Sequence, residues 1–147
     1  MDEATLLADG WHRVPAVRYS AAIGPTFMKL VDGRVSAALL AQEHLANDNL
    51  GIVHGGAMMT FADMAMGIGV GHATGGHAMF VTAQLAVQFT SAARVGDLIT
   101  CQPEVVRKTS SMVFVRGLIE AGGRTVASVD GIFKLLDADK MQGMKAG

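Results

Sequence analysis

From residue 80 to residue 89 the chain alternates, with Val81, Ala83, Leu85, Val87 and Phe89 set to one side and Thr82, Gln84, Ala86 and Gln88 to the other. That two-residue period predicts a half-buried strand. Upstream the period changes. Val53, Ala57, Phe61, Met64 and Ile68 recur at steps of three and four, which predicts a helix of about 15 residues starting near Gly55. Gly67, Gly69 and Gly71 weaken its C-terminal half. With Met, Ala and Phe on nearly every side, this helix belongs inside the molecule.

The other elements follow from punctuation. Residues 27–31 and 34–40 are apolar runs around Asp32-Gly33, a dipeptide that accepts the positive φ angles of a two-residue hairpin. Two further strands are expected at 97–108 and 111–121, then a Gly122-Gly123 turn and a last strand over 124–136. Residues 2–9 suggest a short amphipathic helix docked by Leu6 and Leu7, residues 42–49 a polar loop, and the tail from Asp137 to Gly147 a fraying end. A hairpin, one buried helix and a meander of four strands make an α+β chain whose antiparallel sheet must curl around the helix. At 147 residues the chain has the length of one domain.

Composition changes this picture in one respect. Charged residues make up only 17% and hydrophobic ones 50%, so polar material is too scarce to cover an isolated small globule, and contact between subunits is expected. Twelve basic residues against thirteen acidic ones leave no general attraction to nucleic acid. The N-terminal stretch lacks the basic and apolar regions of a secretory signal. No apolar run reaches the length of about 20 residues that a membrane span needs. Cys101 is the single cysteine; it excludes an internal disulfide and fits a cytoplasmic setting, and it reads as a packed thiol in a strand. His72 and His77, five residues apart without Cys or acidic neighbours, do not make a metal site.

The candidate chemistry lies in His54-Gly55-Gly56-Ala57-Met58-Met59-Thr60-Phe61-Ala62-Asp63. No Lys or Arg occurs between Arg34 and Arg94, so no local cation explains a carboxylate at position 63 of an apolar helix. Such a group is costly unless it caps, pairs or reacts. Asp63 is therefore the candidate general base or nucleophile. Taken alone, His54-Gly55-Gly56 is a tight loop-to-helix turn. Its free amides at the positive end of the helix dipole are also suited to polarise a carbonyl. Gly55 and Asp63 stand about 12 Å apart along one helix, too far to serve one reacting centre. Two such helices antiparallel across a two-fold axis would bring Gly55 of one chain toward Asp63 of the other. The methionines at 58, 59, 64 and 66 fit core or pocket wall.

The run Gly51-Ile52-Val53-His54-Gly55-Gly56, then Asp63, Val81-Thr82-Ala83-Gln84-Leu85, Phe89 and Ala93-Arg94-Val95-Gly96-Asp97 resembles the hotdog-fold acyl-CoA thioesterases of the phenylacetate-pathway type, over roughly residues 17–136. The resemblance implies an antiparallel sheet wrapped around one long central helix, with a homodimer assembling into a homotetramer. It implies hydrolysis of a small, medium or aryl acyl-CoA thioester without a separate cofactor, coenzyme A being part of the substrate. By position it makes Asp63 the base or nucleophile and the Gly55 amide, assisted by Gly56, the group that polarises the thioester carbonyl. His54 would shape the turn or hydrogen-bond near the thioester, and Thr82 would position the water or Asp63. Many relatives carry an asparagine where this chain has Asp48, so Asn47 and Asn49 become the candidate side-chain amides. Arg107 and Lys108, followed by Arg94 and Arg116, are the candidates for the coenzyme A phosphates. The alternatives are a hotdog dehydratase or hydratase, which would rely on a histidine and acid pair, and a non-catalytic acyl-CoA-binding protein.

Overall fold

The structure, a computed structural model, describes residues 1–76, 79–137, 139, 142 and 143. His77 and most of the tail lie outside the described residues. In chain order the elements are α1 (Glu3–Ala8), β1 (His12–Arg13), β2 (Thr26–Val31), β3 (Arg34–Leu40), α2 (Gly55–Ala73), β4 (Met79–Phe89), β5 (Leu98–Cys101), β6 (Glu104–Lys108), β7 (Met112–Ala121) and β8 (Arg124–Leu136), with 3₁₀ turns at Arg18–Ile23 and Glu43–Leu45. The strands form one antiparallel sheet in the order β1-β2-β3-β5-β7-β8-β4, with β6 also pairing β7. One face of this sheet wraps α2, the arrangement expected of the hotdog fold.

The core is the α2 side of the sheet. Phe61, Ala62, Ala65, Met66 and Val70 of α2 are buried against Ala37, Leu39, Ile99, Val115, Ile119 and Phe133. Small residues set the spacing between the layers. A Cβ at Gly69 would stand 2.7 Å from Cβ of Pro103, and one at Gly117 3.1 Å from Cε of Met66, so helix and sheet meet backbone to side chain. Pro103 also divides the single strand expected over 97–108 into β5 and β6, because a proline cannot donate to the ladder. The β2–β3 hairpin turns where Asp32 (φ 51°) and Gly33 (φ 75°) take left-handed backbone, as the Asp-Gly dipeptide predicts.

Two sequence expectations are corrected. Asp2 caps α1 by accepting the Thr5 N–H at 2.8 Å, and Leu6 is buried with Trp11, Phe27, Ala38 and Leu40 on the sheet face away from α2. Leu7, expected to dock beside it, is exposed; adjacent helical residues point about 100° apart, and one docking stripe holds only one of them. The helix α2 is also longer than expected, at 19 residues, since its glycines abut Phe80 and Pro103 and are held by packing that propensity does not report.

Candidate active site

The N-terminus of α2 is set by His54. Its backbone is extended (φ −61°, ψ 136°), and its Nδ1 accepts the Gly56 N–H at 2.8 Å. The imidazole is therefore a helix cap, with Nδ1 as acceptor. The cap also corrects the expectation for Gly56, whose amide is spent on His54 in this arrangement. Gly55 is different: it is exposed, and among the described residues its N–H meets no acceptor. Gly55 opens on a concavity of about 360 Å³ lined by Ile52, Val53, Met58, Phe89 and Ala92. The Phe89 ring lies 3.9 Å from where a Gly55 Cβ would stand.

Asp63 sits two turns further along, half-buried, and accepts a hydrogen bond of 2.6 Å from Oγ1 of Thr82. No Lys or Arg pairs with it among the described residues. Strict alternation along β4 had turned Thr82 away from Leu85 and Val87. A bulge explains the reversal. Thr82 pairs with Phe133 and Gln84 with Ile132, which leaves Ala83 as the extra residue. Before the bulge Phe80 and Thr82 face α2, and after it Leu85 and Val87 do. A bulge thus aims the hydroxyl at the carboxylate.

Other expected residues are dispersed. Asn47 accepts the Asn49 N–H on Oδ1 at 3.0 Å while its own N–H donates to Ile52; its side-chain oxygen is committed to the loop that leads into His54. Asp48 and Asn49 are exposed. Lys108 stands in one sheet row with Val113, Phe133 and Thr82, three strand spacings or about 14 Å from Thr82, with the buried Val113 and Phe133 between. The chain therefore does not bring Arg107 and Lys108 to its own Asp63. Arg116 faces away from α2 and pairs with Glu104 at 3.3 Å. Arg94 bridges Ile52, two residues before His54, and is the expected cation that lies nearest the start of α2 along the chain.

Two participants escape the sequence reading. Tyr19 meets Oγ1 of Thr60 at 3.1 Å, and Thr60 in turn donates to the Gly56 carbonyl at 3.0 Å. The Thr60 proton being so used, the tyrosine is the donor. Arg124 donates to the Ala92 carbonyl at 2.7 Å and lies 3.6 Å from Asp97, steadying the segment that lines the Gly55 concavity. No periodicity links residues 41 and 32 positions apart; only the acid at position 97 hinted at a partner. Cys101 is buried, and burial followed by the charge of Glu120 pushes its thiol up to about 12, so it stays protonated and inert. No group of three His, Cys, Asp or Glu among the described residues is placed to hold a metal. His72 instead bonds the Gly33 carbonyl at 3.2 Å. No described helix is long and apolar enough to cross a membrane.

Comparison with known proteins bears on the family and the fold. A family model described as "Thioesterase superfamily" matches residues 50–128, the segment running from the loop before His54 into β8. The Pseudomonas aeruginosa protein named "Putative esterase PA0474" is 29% identical over 113 residues, covering 77% of this chain and 84% of that protein. Among solved structures, conserved protein PA5202 of Pseudomonas aeruginosa superposes with a TM-score of 0.73 at 26% identity, over 82% of this chain and 95% of the other. BH2602 of Bacillus halodurans, solved with CoA, gives a TM-score of 0.65 at 27% identity, over 74% of this chain and 71% of the other.

Proposed function

The chain belongs to the thioesterase superfamily, and we propose that it hydrolyses acyl-CoA thioesters at two equivalent sites, each shared between two subunits. The observation that carries this reading lies on β4. This strand ends the sheet, with no neighbour on its outer edge among the described residues. It holds Phe89 against Gly55 at one end and Thr82 against Asp63 at the other. An eleven-residue edge with exposed Met79, Val81 and Phe89 invites pairing with another strand. Antiparallel pairing of two β4 edges about a two-fold axis near Leu85 and Ala86 sets Phe89 of one subunit opposite Thr82 of the partner subunit. The free Gly55 amide then faces a carboxylate that its own chain holds about 12 Å away.

The reaction follows from those two groups. The Gly55 N–H, at the positive end of α2, donates to the thioester oxygen and stabilises the negative charge that develops on it. Asp63, oriented by Thr82, takes a proton from water as its oxygen bonds to the carbonyl carbon. The tetrahedral species expels coenzyme A as the carbon–sulfur bond breaks, and the proton held by Asp63 passes to the thiolate. Direct attack by the carboxylate to form an anhydride, later hydrolysed, uses the same atoms. Coenzyme A as the carrier is supported by its presence with the Bacillus halodurans relative. An aryl or small to medium acyl group of the phenylacetate-pathway type, a cytoplasmic setting and assembly of dimers into a tetramer belong to the same proposal. His54 caps its own helix instead of pairing with an acid, which argues against a dehydratase.

A panel of short, long, aryl and hydroxylated acyl-CoAs with a thiol-trapping dye tests the reading. CoA release is expected from at least one member, with Asp63→Asn lowering kcat by about 10²- to 10⁴-fold, the usual worth of a general base. No turnover with any member would leave a non-catalytic acyl-CoA-binding protein, and full activity in Asp63→Asn would remove the carboxylate from the mechanism.

A further inference from the structure

The first turn of α2 separates two cavities. Gly55 and Met58 line the concavity of about 360 Å³ beside Phe89, and Gly56, Ala57 and Thr60 line a slot of about 250 Å³. At about 100° per residue these two sets point to opposite sides of the helix. The far wall of the slot is the 3₁₀ turn Arg18–Ile23, fastened by two side-chain bonds. Tyr19 meets Thr60 at 3.1 Å, and Nε2 of His44 donates to the Ala22 carbonyl at 3.2 Å. The Tyr19 ring is 72% exposed although its hydroxyl is fixed. Holding such a ring in one rotamer costs side-chain entropy, and its effect is to wall the slot.

We propose that the slot holds the pantetheine arm of coenzyme A, with the acyl group in the concavity on the Gly55 side. This rests on the proposed reaction, in which the thioester carbonyl meets the Gly55 N–H. A carbonyl held there sends out two arms, and the two cavities differ in the chemistry they offer. On the Gly55 side the walls are Val53, Met58, Phe89 and Ala92. Of the two hydroxyls there, Thr90 donates to the Thr125 carbonyl at 3.0 Å, which leaves Ser91. Such a lining suits a hydrocarbon.

The slot also has apolar walls, in Ile23, Leu45 and Ala57, but with three polar atoms left over. His44, donating from Nε2, keeps Nδ1 as an acceptor. His54, accepting on Nδ1, keeps a hydrogen on Nε2. Tyr19, donating to Thr60, keeps a lone pair on its oxygen. Among the described residues none of these three atoms has another partner. No Lys, Arg, Asp or Glu lines the slot, so a phosphate or carboxylate finds no counter-charge there. Uncharged donors and acceptors on an apolar surface are the complement of a chain carrying secondary amides, and the pantetheine arm carries two. Its first amide nitrogen stands three bonds from the sulfur, about 4 Å away. His54 and Gly56, which line the slot, adjoin Gly55 in the chain, so the arm reaches the slot with that first amide.

Two measurements test the assignment. Calorimetric titration with CoA needs no turnover. Tyr19→Phe keeps the ring and deletes the oxygen, and it should bind CoA about 2- to 10-fold more weakly than wild type, the effect of one neutral hydrogen bond. Unchanged affinity, or no binding of CoA to the wild type, would overturn the slot. Weakened binding by Tyr19→Phe, in a protein that hydrolyses no acyl-CoA, would keep the slot and remove the hydrolase reading. Steady-state kinetics on thioesters of one acid, with pantetheine and with butanethiol, which lacks the amides, separates the two arms. Wild type should favour the pantetheine thioester in kcat/KM, and Tyr19→Phe should narrow that preference by the same factor. Phe89→Ala should reorder acyl groups on a fixed carrier, which Tyr19→Phe should not. A Tyr19→Phe enzyme that reorders acyl groups and keeps its preference for the pantetheine carrier would put the acyl group in the slot and reverse the assignment.

Discussion

Thr82 is exposed, and among the described residues its hydroxyl makes one hydrogen bond, of 2.6 Å, to Asp63, the kind that matters where the carboxylate must be aimed. A bond to a charged acceptor is worth about 1.5–3 kcal/mol. If the proposed mechanism holds, Thr82→Val lowers kcat about 10- to 100-fold with KM little changed, and Thr82→Ser, which keeps the hydroxyl, recovers most of it. A merely structural threonine would shift the unfolding midpoint in both variants and leave the kcat-to-KM split untouched. Steady-state kinetics on the two variants decides. His54 shows the contrast. Its ring is committed to the Gly56 amide, so its influence reaches the reaction through the shape of the turn.

At the scale of elements, legibility depended on whether the signal was local. The Asp32-Gly33 hairpin was readable because two adjacent residues dictate the turn, and α2 was readable because its apolar period spans three turns. Strict alternation turned Thr82 to the wrong face, since the Ala83 bulge shows itself only against β8. The tyrosine bonded to Thr60 likewise depends on a contact between distant segments, whereas the break between β5 and β6 has a local cause in Pro103. The glycines of α2 carry the same lesson in energetic form. Propensity alone treats Gly67 and Gly69 alike, whereas a Cβ at Gly69 would lie 2.7 Å from the rigid Pro103 ring and one at Gly67 a comfortable 3.5 Å from Phe80. Gly69→Ala should cost about 1–3 kcal/mol by overpacking. Gly67→Ala should be neutral or stabilising by up to about 1 kcal/mol, because alanine restricts the unfolded chain. Urea denaturation of the pair measures both signs.

For the whole molecule, the central claim is that no single chain holds a complete site, and this can be examined without knowing the acyl group. Gly55 is the first residue of α2, the one helical position where proline is tolerated, and His54 before it already has the extended backbone that a following proline requires. Gly55→Pro therefore deletes the proposed oxyanion donor while leaving the helix in place. Asp63→Asn deletes the base. Each variant alone should be nearly inactive. When the two are unfolded together and refolded, mixed dimers carry both lesions in one site and neither in the other, because each site takes Gly55 from one chain and Asp63 from its partner. With random pairing half the dimers are mixed and each has one intact site of two, so activity should rise to about a quarter of wild type. A site built within one chain would leave every site damaged, and the mixture would stay as inactive as its components. Refolding each variant alone controls for losses in the procedure, and a hydrolysis rate in the mixture no greater than theirs would remove the shared-site geometry.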